Sequence, residues 1–99
     1  MTHLFLADEV WDDFQRIFDH LIFYNVENPS DRMDEIIHAF DVLKHNPEIG
    51  RLDENNLREL VIGRGSHGYL AQYRYQKIID TAFILAIRSQ REDAYGAHH

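Results

Sequence analysis

The chain has no cysteine, which excludes both a disulfide framework and a thiolate metal site. That agrees with a reducing compartment. Proline occurs twice and glycine five times, and no low-complexity tract, internal repeat or long linker is present. No apolar run approaches the ~18 residues that a membrane span needs. The opening Met1-Thr-His-Leu-Phe-Leu-Ala-Asp-Glu9 lacks a basic region followed by a long apolar stretch, so no signal peptide is expected. Cytoplasmic location without membrane association follows as the expectation. Familiar catalytic patterns are missing too. There is no Gly-x-Ser-x-Gly elbow, no phosphate loop ending in Gly-Lys-Ser/Thr and no His-Glu-x-x-His.

What is present is an ordinary globular composition, 44% hydrophobic and 12% aromatic over 99 residues. This length fits a single domain spanning 1–99, able to hold one core by burying about 60–70% of its unfolded surface. The net charge of −7 is unevenly spread. Residues 1–55 hold thirteen Asp/Glu against four Lys/Arg, a balance of −9. Residues 56–99 hold four against six, a balance of +2, and five of those six cations are arginines. Such asymmetry hints at distinct partner surfaces, and it also suits an acidic helical half that keeps the chain in solution.

The pattern along the chain predicts the elements. Residues 3–7 form a short apolar run that fits a strand. Val10, Phe14, Ile17, Phe18, Leu21 and Ile22 then follow helical spacing and define one broad face. Asp8 and Glu9 suit the positive end of that helix, while Asp13 falls at the edge of its polar side. Asn28 is a good N-cap and Pro29 a good first helical residue. Met33, Ile36, Ile37, Phe40 and Leu43 make a second stripe, which should stop near Asn46 because Pro47 disfavours helix in the residue before it. A short polar break between two helices implies an antiparallel hairpin.

Beyond Pro47 the helical period gives way to strands at 57–62, 69–75 and 81–88. Gly63, Gly65, Ser66 and Gly68 mark the first turn, and Gln76 to Asp80 the second. The last run, Thr81-Ala-Phe-Ile-Leu-Ala-Ile-Arg88, has the near-continuous apolar character of a central strand buried on both sides. The expected fold is therefore α+β. A short N-terminal strand and an antiparallel helical hairpin pack on a mostly antiparallel sheet that ends in a three-strand meander.

Among chemistry-bearing residues, seven histidines assemble no recognisable ligand set. His38 and His45 share a helix face, but no carboxylate pair completes a site, so neither metal nor other cofactor is expected. Asp12, Asp13, Asp34 and Glu35 fit a solvated face. The arginines say more. Arg58, Arg64, Arg74, Arg88 and Arg91 sit on or just beyond the strands, and a guanidinium fork suits phosphate oxygens or carboxylates. Arg58 and Arg74 are placed to project together from one face. Tyr95 follows Arg91 by four residues, and guanidiniums nearby would lower its pKa from about 10 and make it a proton acceptor. The alternative is that these arginines pair with acids of the helices or of a partner.

Several stretches together resemble the RelE/ParE toxin superfamily. They are Asn46-Pro-Glu-Ile-Gly-Arg51, Leu57-Arg-Glu-Leu-Val-Ile62, Gly68-Tyr-Leu-Ala-Gln-Tyr-Arg74 and Ile84-Leu-Ala-Ile-Arg-Ser-Gln-Arg-Glu-Asp-Ala-Tyr95. The resemblance implies the fold above and a role as the toxin of a type II toxin–antitoxin pair of the plasmid-stabilisation type, with a cognate antitoxin as partner. RelE-like members cleave messenger RNA on the ribosome, whereas ParE-like members inhibit DNA gyrase by binding. Arg58, Arg91 and Tyr95 match positions of RelE-like catalytic groups, which leaves Arg64, Arg74 and Arg88 as binding residues. Leu60 stands where a RelE-like lysine is expected, and Leu70 where an arginine often sits. The charge of −7 also suits a polyanion such as ribosomal RNA poorly. The resemblance therefore implies the ParE-like, gyrase-directed activity. The alternatives are the ribosome-dependent endonuclease and a domain that only binds its antitoxin.

Overall fold

A computed structural model describes residues 1–63 and 68–90. Strand β1 (His3–Leu6) leads into helices α1 (Asp8–Phe23) and α2 (Pro29–His45). Strands β2 (Arg51–Leu52), β3 (Arg58–Ile62), β4 (Tyr69–Gln76) and β5 (Thr81–Ser89) follow. They form one five-stranded sheet in the order β1-β5-β4-β3-β2. β1 runs parallel to β5 and the other neighbours pair antiparallel. The helices cover one face, the α+β arrangement that the periodicity predicts.

Local chemistry explains the helix ends. Asn25 adopts a left-handed φ of 54°, the Val26 N–H bonds Leu21 O at 3.0 Å and the Asn25 N–H bonds Ile22 O at 3.0 Å. This paired closure satisfies the last carbonyls of α1, with asparagine in glycine's usual place. Asn28 stands at the N-cap position of α2, but its φ of 51° turns its side chain away from capping. Its carbonyl accepts from the Asp31 N–H instead, at 3.0 Å. At the far end the helix stops at His45, and Asn46 takes an extended φ of −139° ahead of Pro47.

The core lies between the helices and the sheet. It is built from Val10, Ile17 and Leu21 of α1 and Ile36, Ala39, Phe40 and Leu43 of α2, against Ile62, Tyr69, Ala71, Tyr73, Ala82, Ile84 and Ile87. Two stripe members of α1, Phe18 and Ile22, are instead exposed, and so is Ile37 of α2. The buried arc of α1 is rotated toward Asp13, which is only 9% exposed although the sequence places it at a polar edge.

Two details of the sheet depart from expectation. The two-residue strand β2 arises because Asp53 Oδ1 accepts from the N–H groups of Asn55 and Leu57, at 2.8 and 2.9 Å, folding the chain back onto β3. β5 is an interior strand, but only its inner face is buried, since among the described residues no second layer covers the other. Leu85 is an extra residue relative to β4, because Gln72 pairs with Ala86 and Tyr73 with Ile84. This bulge kinks β5 where it outruns β1.

β1 pairs with β5 only as far as Ile84, so the edge beyond is bare of backbone partners from β1. Side chains of α1 take over there. Asp13 Oδ2 accepts from the Ile87 N–H at 2.9 Å, and Arg16 Nη2 donates to Ile87 O at 3.3 Å. Arg16 Nη1 also meets Asp13 Oδ1 at 2.7 Å. The ion pair thus stands in for the missing strand, matching a buried donor and an acceptor that would otherwise be orphaned.

A second cluster ties β1 to the β4–β5 hairpin. Asp80 Oδ1 accepts from Thr2 Oγ1 at 2.7 Å and from the Tyr75 hydroxyl at 2.8 Å. The hydrogen bonds from Thr2 and then Tyr75 hold the Asp80 carboxyl below its ordinary range. The Tyr75 phenol is raised, first by its bond to Asp80. A lowered carboxylate contributes stability above its unfolded value, about 3.9, and that contribution is lost as pH falls through the lower folded value. The raised phenol acts at the other end, its contribution being lost above about pH 10 as pH rises through the folded value. Asp80→Asn, which tolerates the left-handed φ of 46°, is expected to flatten the fall in melting temperature between about pH 4 and 2. An unchanged acid limb in that variant would remove Asp80 from the acid transition.

Candidate functional site

Register decides which arginines share a surface. Arg58 pairs with Tyr73, Leu60 with Ala71 and Ile62 with Tyr69, so all three β3 residues face the helix side. Glu59 and Val61, opposite Gln72 and Leu70, face outward. Arg74, opposite Phe83, and Arg88, opposite Leu70, also belong to this outer face, and both are exposed. Arg58 and Arg74 therefore lie on opposite faces, contrary to the sequence expectation. The alternation within each strand is readable from sequence, but the phase between β3 and β4 is set by their pairing.

Arg58 is committed locally. Its Nη1 donates to the carbonyls of Glu48 at 3.0 Å and Gly50 at 2.9 Å, with the Glu48 carboxylate 3.7 Å from Nη2. Beside it, the fully buried Tyr73 accepts from the Gly50 N–H and donates to Pro47 O, both at 2.8 Å. Burial pushes the Tyr73 phenol up, against the smaller lowering effects of the Gly50 bond and the Arg58 charge. It is thus held as a neutral donor. Together Tyr73 and Arg58 pin the segment Pro47–Gly50 to the sheet, and a charge-assisted bond to a carbonyl is worth about 1.5–3 kcal/mol. Tyr73 was not singled out from sequence, although its place in the alternating Tyr69, Ala71, Tyr73 row marks it as inward-facing.

Among the described residues, the outer face is a mixed surface without a covering layer. Phe5 and Phe83 stack at 5.6 Å across β1 and β5. Arg74 lies in their row of the sheet, since it pairs with Phe83, which pairs with Phe5. Next to it, Glu59, Leu70, Gln72, Ala86 and Arg88 line a shallow cavity of about 130 Å³. Such a surface offers guanidinium donors and an aromatic patch to a macromolecular partner. Arg64, Arg91 and Tyr95 lie outside the described residues. Among the described residues, no group of three or more His, Asp or Glu could hold a metal ion. Nor is any helix among them long and apolar enough to cross a membrane.

A helical hairpin on one face of a mixed sheet, with an arginine-bearing face opposite, defines a small α+β domain suited to macromolecular contact. Residues 4–94 match the family described as ParE toxin of the type II toxin–antitoxin system parDE, and the chain belongs to that family. It is 35% identical over 60 residues to Toxin RelE3 of Caulobacter vibrioides, a match covering 61% of this chain and 63% of that protein. Its fold resembles a chain from the chromosomal ParDE toxin–antitoxin system of P. aeruginosa with a TM-score of 0.71. That superposition covers 90% of this chain and 96% of the other at 22% identity.

Proposed function

We propose that the chain is a cytoplasmic toxin that binds and inhibits DNA gyrase and is neutralised by a cognate antitoxin. The observation that carries this reading is the placement of Arg58. A RelE-like nuclease would need this guanidinium at the scissile phosphate, yet it is spent on the carbonyls of Glu48 and Gly50. It also faces away from Arg74 and Arg88. Binding needs no such convergence, and the exposed arginines of the outer face are free to serve as contacts.

Purified protein is expected to reduce supercoiling by gyrase. Arg74→Glu with Arg88→Glu should weaken that inhibition by about tenfold or more, a large loss for an arginine contact. Because both side chains are exposed, melting temperature should stay unchanged. No inhibition at large molar excess would overturn the proposal. Induced expression in a bacterial host separates the readings. Filamentation with DNA damage accompanies gyrase inhibition. Arrested translation with cut messages, abolished by Tyr95→Phe, would restore the endonuclease, and no growth effect would leave a domain that only binds its antitoxin.

A further inference from the structure

The exposed side of α1 carries an order of its own. Trp11, Phe18 and Ile22 are 60%, 36% and 54% exposed, and their i, i+7, i+11 spacing sets them on one stripe with Gln15 between. Immediately beside it, at one-helix-turn multiples, runs a second row of Asp8, Asp12 and Asp19, all exposed. The stripe is anchored rather than loose. The Trp11 ring packs on Phe14 at 5.9 Å, and Phe14 packs on Phe40 of the core at 5.9 Å. A fixed apolar ridge with a tryptophan at one end has the composition of an interface centre, and its border is acidic along one side.

We infer that this face of α1 docks an amphipathic helix whose apolar stripe is bordered by lysine or arginine, and that the antitoxin supplies it. The inference rests on the antitoxin reading above and adds to it the face used and the charge of the partner segment. Charge complementarity selects the occupant. A second copy packing through the same face would set Asp8, Asp12 and Asp19 against acids of the same sign, and an anionic lipid surface would do the same. A helix with apolar residues three to four apart can lie along the ridge, while its basic flank meets the aspartate row within the ~8 Å over which charges act at physiological salt.

Trp11 is the only tryptophan of the chain, so it reports directly on this face. The complex is prepared by co-expression with the product of the neighbouring reading frame, made without tryptophan. Docking on this face is expected to shift Trp11 emission to the blue and protect it from iodide. Trp11→Ala should weaken binding by about thirtyfold, the loss of one interface hot spot. Asp12→Lys with Asp19→Lys should weaken it about tenfold at low salt, with the difference shrinking toward 1 M salt, where the screening length is about 3 Å. All three substituted positions are exposed, and circular dichroism melting checks that the fold is kept. A complex that forms with Trp11 still quenched by iodide, or with unchanged affinity in the folded variants, would overturn the docking face while the antitoxin reading stands. Failure of the wild-type chain to bind the neighbouring product would overturn both. A homodimer of the isolated chain with Trp11 shielded would overturn the choice of occupant.

Discussion

Asp13→Ala is expected to lower stability by about 2–3 kcal/mol, through a buried N–H left without an acceptor and a guanidinium left without its carboxylate. For a domain of this size that corresponds to a fall in melting temperature of roughly 10–20 °C. The reason is specific to the edge of β5. The carboxylate accepts from the Ile87 N–H at 2.9 Å, in a place where β1 has already ended. Arg16 would keep its contact to Ile87 O, which at 3.3 Å is the longer of the two bonds to that residue. Asp13→Asn retains an oxygen acceptor and should recover a good part of the loss. Thermal melts of the two variants decide the matter. A change of less than about 0.5 kcal/mol in Asp13→Ala would mean that Asp13 behaves as an ordinary surface charge.

Gly50→Ala should have an effect of similar size for a different reason. A Cβ at Gly50 would stand 2.7 Å from Tyr73 Cε1 and from its hydroxyl. The tyrosine has nowhere to retreat, being fully buried and held at 2.8 Å by both Gly50 N and Pro47 O. Overpacking of this kind costs about 1–3 kcal/mol, and displacement of the ring would add the loss of its two hydrogen bonds. Combining Gly50→Ala with Tyr73→Phe should cost less than the sum of the single changes, because both disturb the same contact. Denaturant titration of the four proteins measures that coupling. Strict additivity would show that the loop and the ring are independent.

Sequence periodicity locates the helices because each has a buried arc, and Pro47 ends the second where it should. It misplaces the arc of α1. Apolar residues occupy a wider arc of that helix than the core covers, and Phe18 and Ile22 are as hydrophobic as their buried neighbours. The true arc centres near Ile17 and reaches, at its edge, Asp13, whose burial depends on a backbone group 74 residues away. No local pattern carries that information. β2 is legible after the fact from Asp53-Glu-Asn-Asn56, a turn-forming tract between Leu52 and Leu57, but a two-residue strand has no period to detect. The arginines show the same division. That they cluster on the strands follows from composition, whereas which face each occupies follows from pairing register. Arg58 reads in the chain as a candidate for phosphate chemistry, and its bonds to the Glu48 and Gly50 carbonyls become visible only in the fold.

The parallel pairing of β1 with β5 sets a timetable. His3 to Leu6 leave the ribosome well before their neighbours in the sheet, Thr81 to Ile84, which are made nearly eighty residues later. Until then the first strand has only the helices to lie on, and α1 lacks the Ile87 backbone that its Asp13 and Arg16 are built to grip. Closing so long a loop before any sheet contact can reward it makes assembly a late and cooperative event. The nascent segment between β1 and β5 is therefore made before the outer face is finished. Arg74 and Arg88 come to share a surface only when β5 joins β4, so the contact surface arises at the same moment as the fold that carries it.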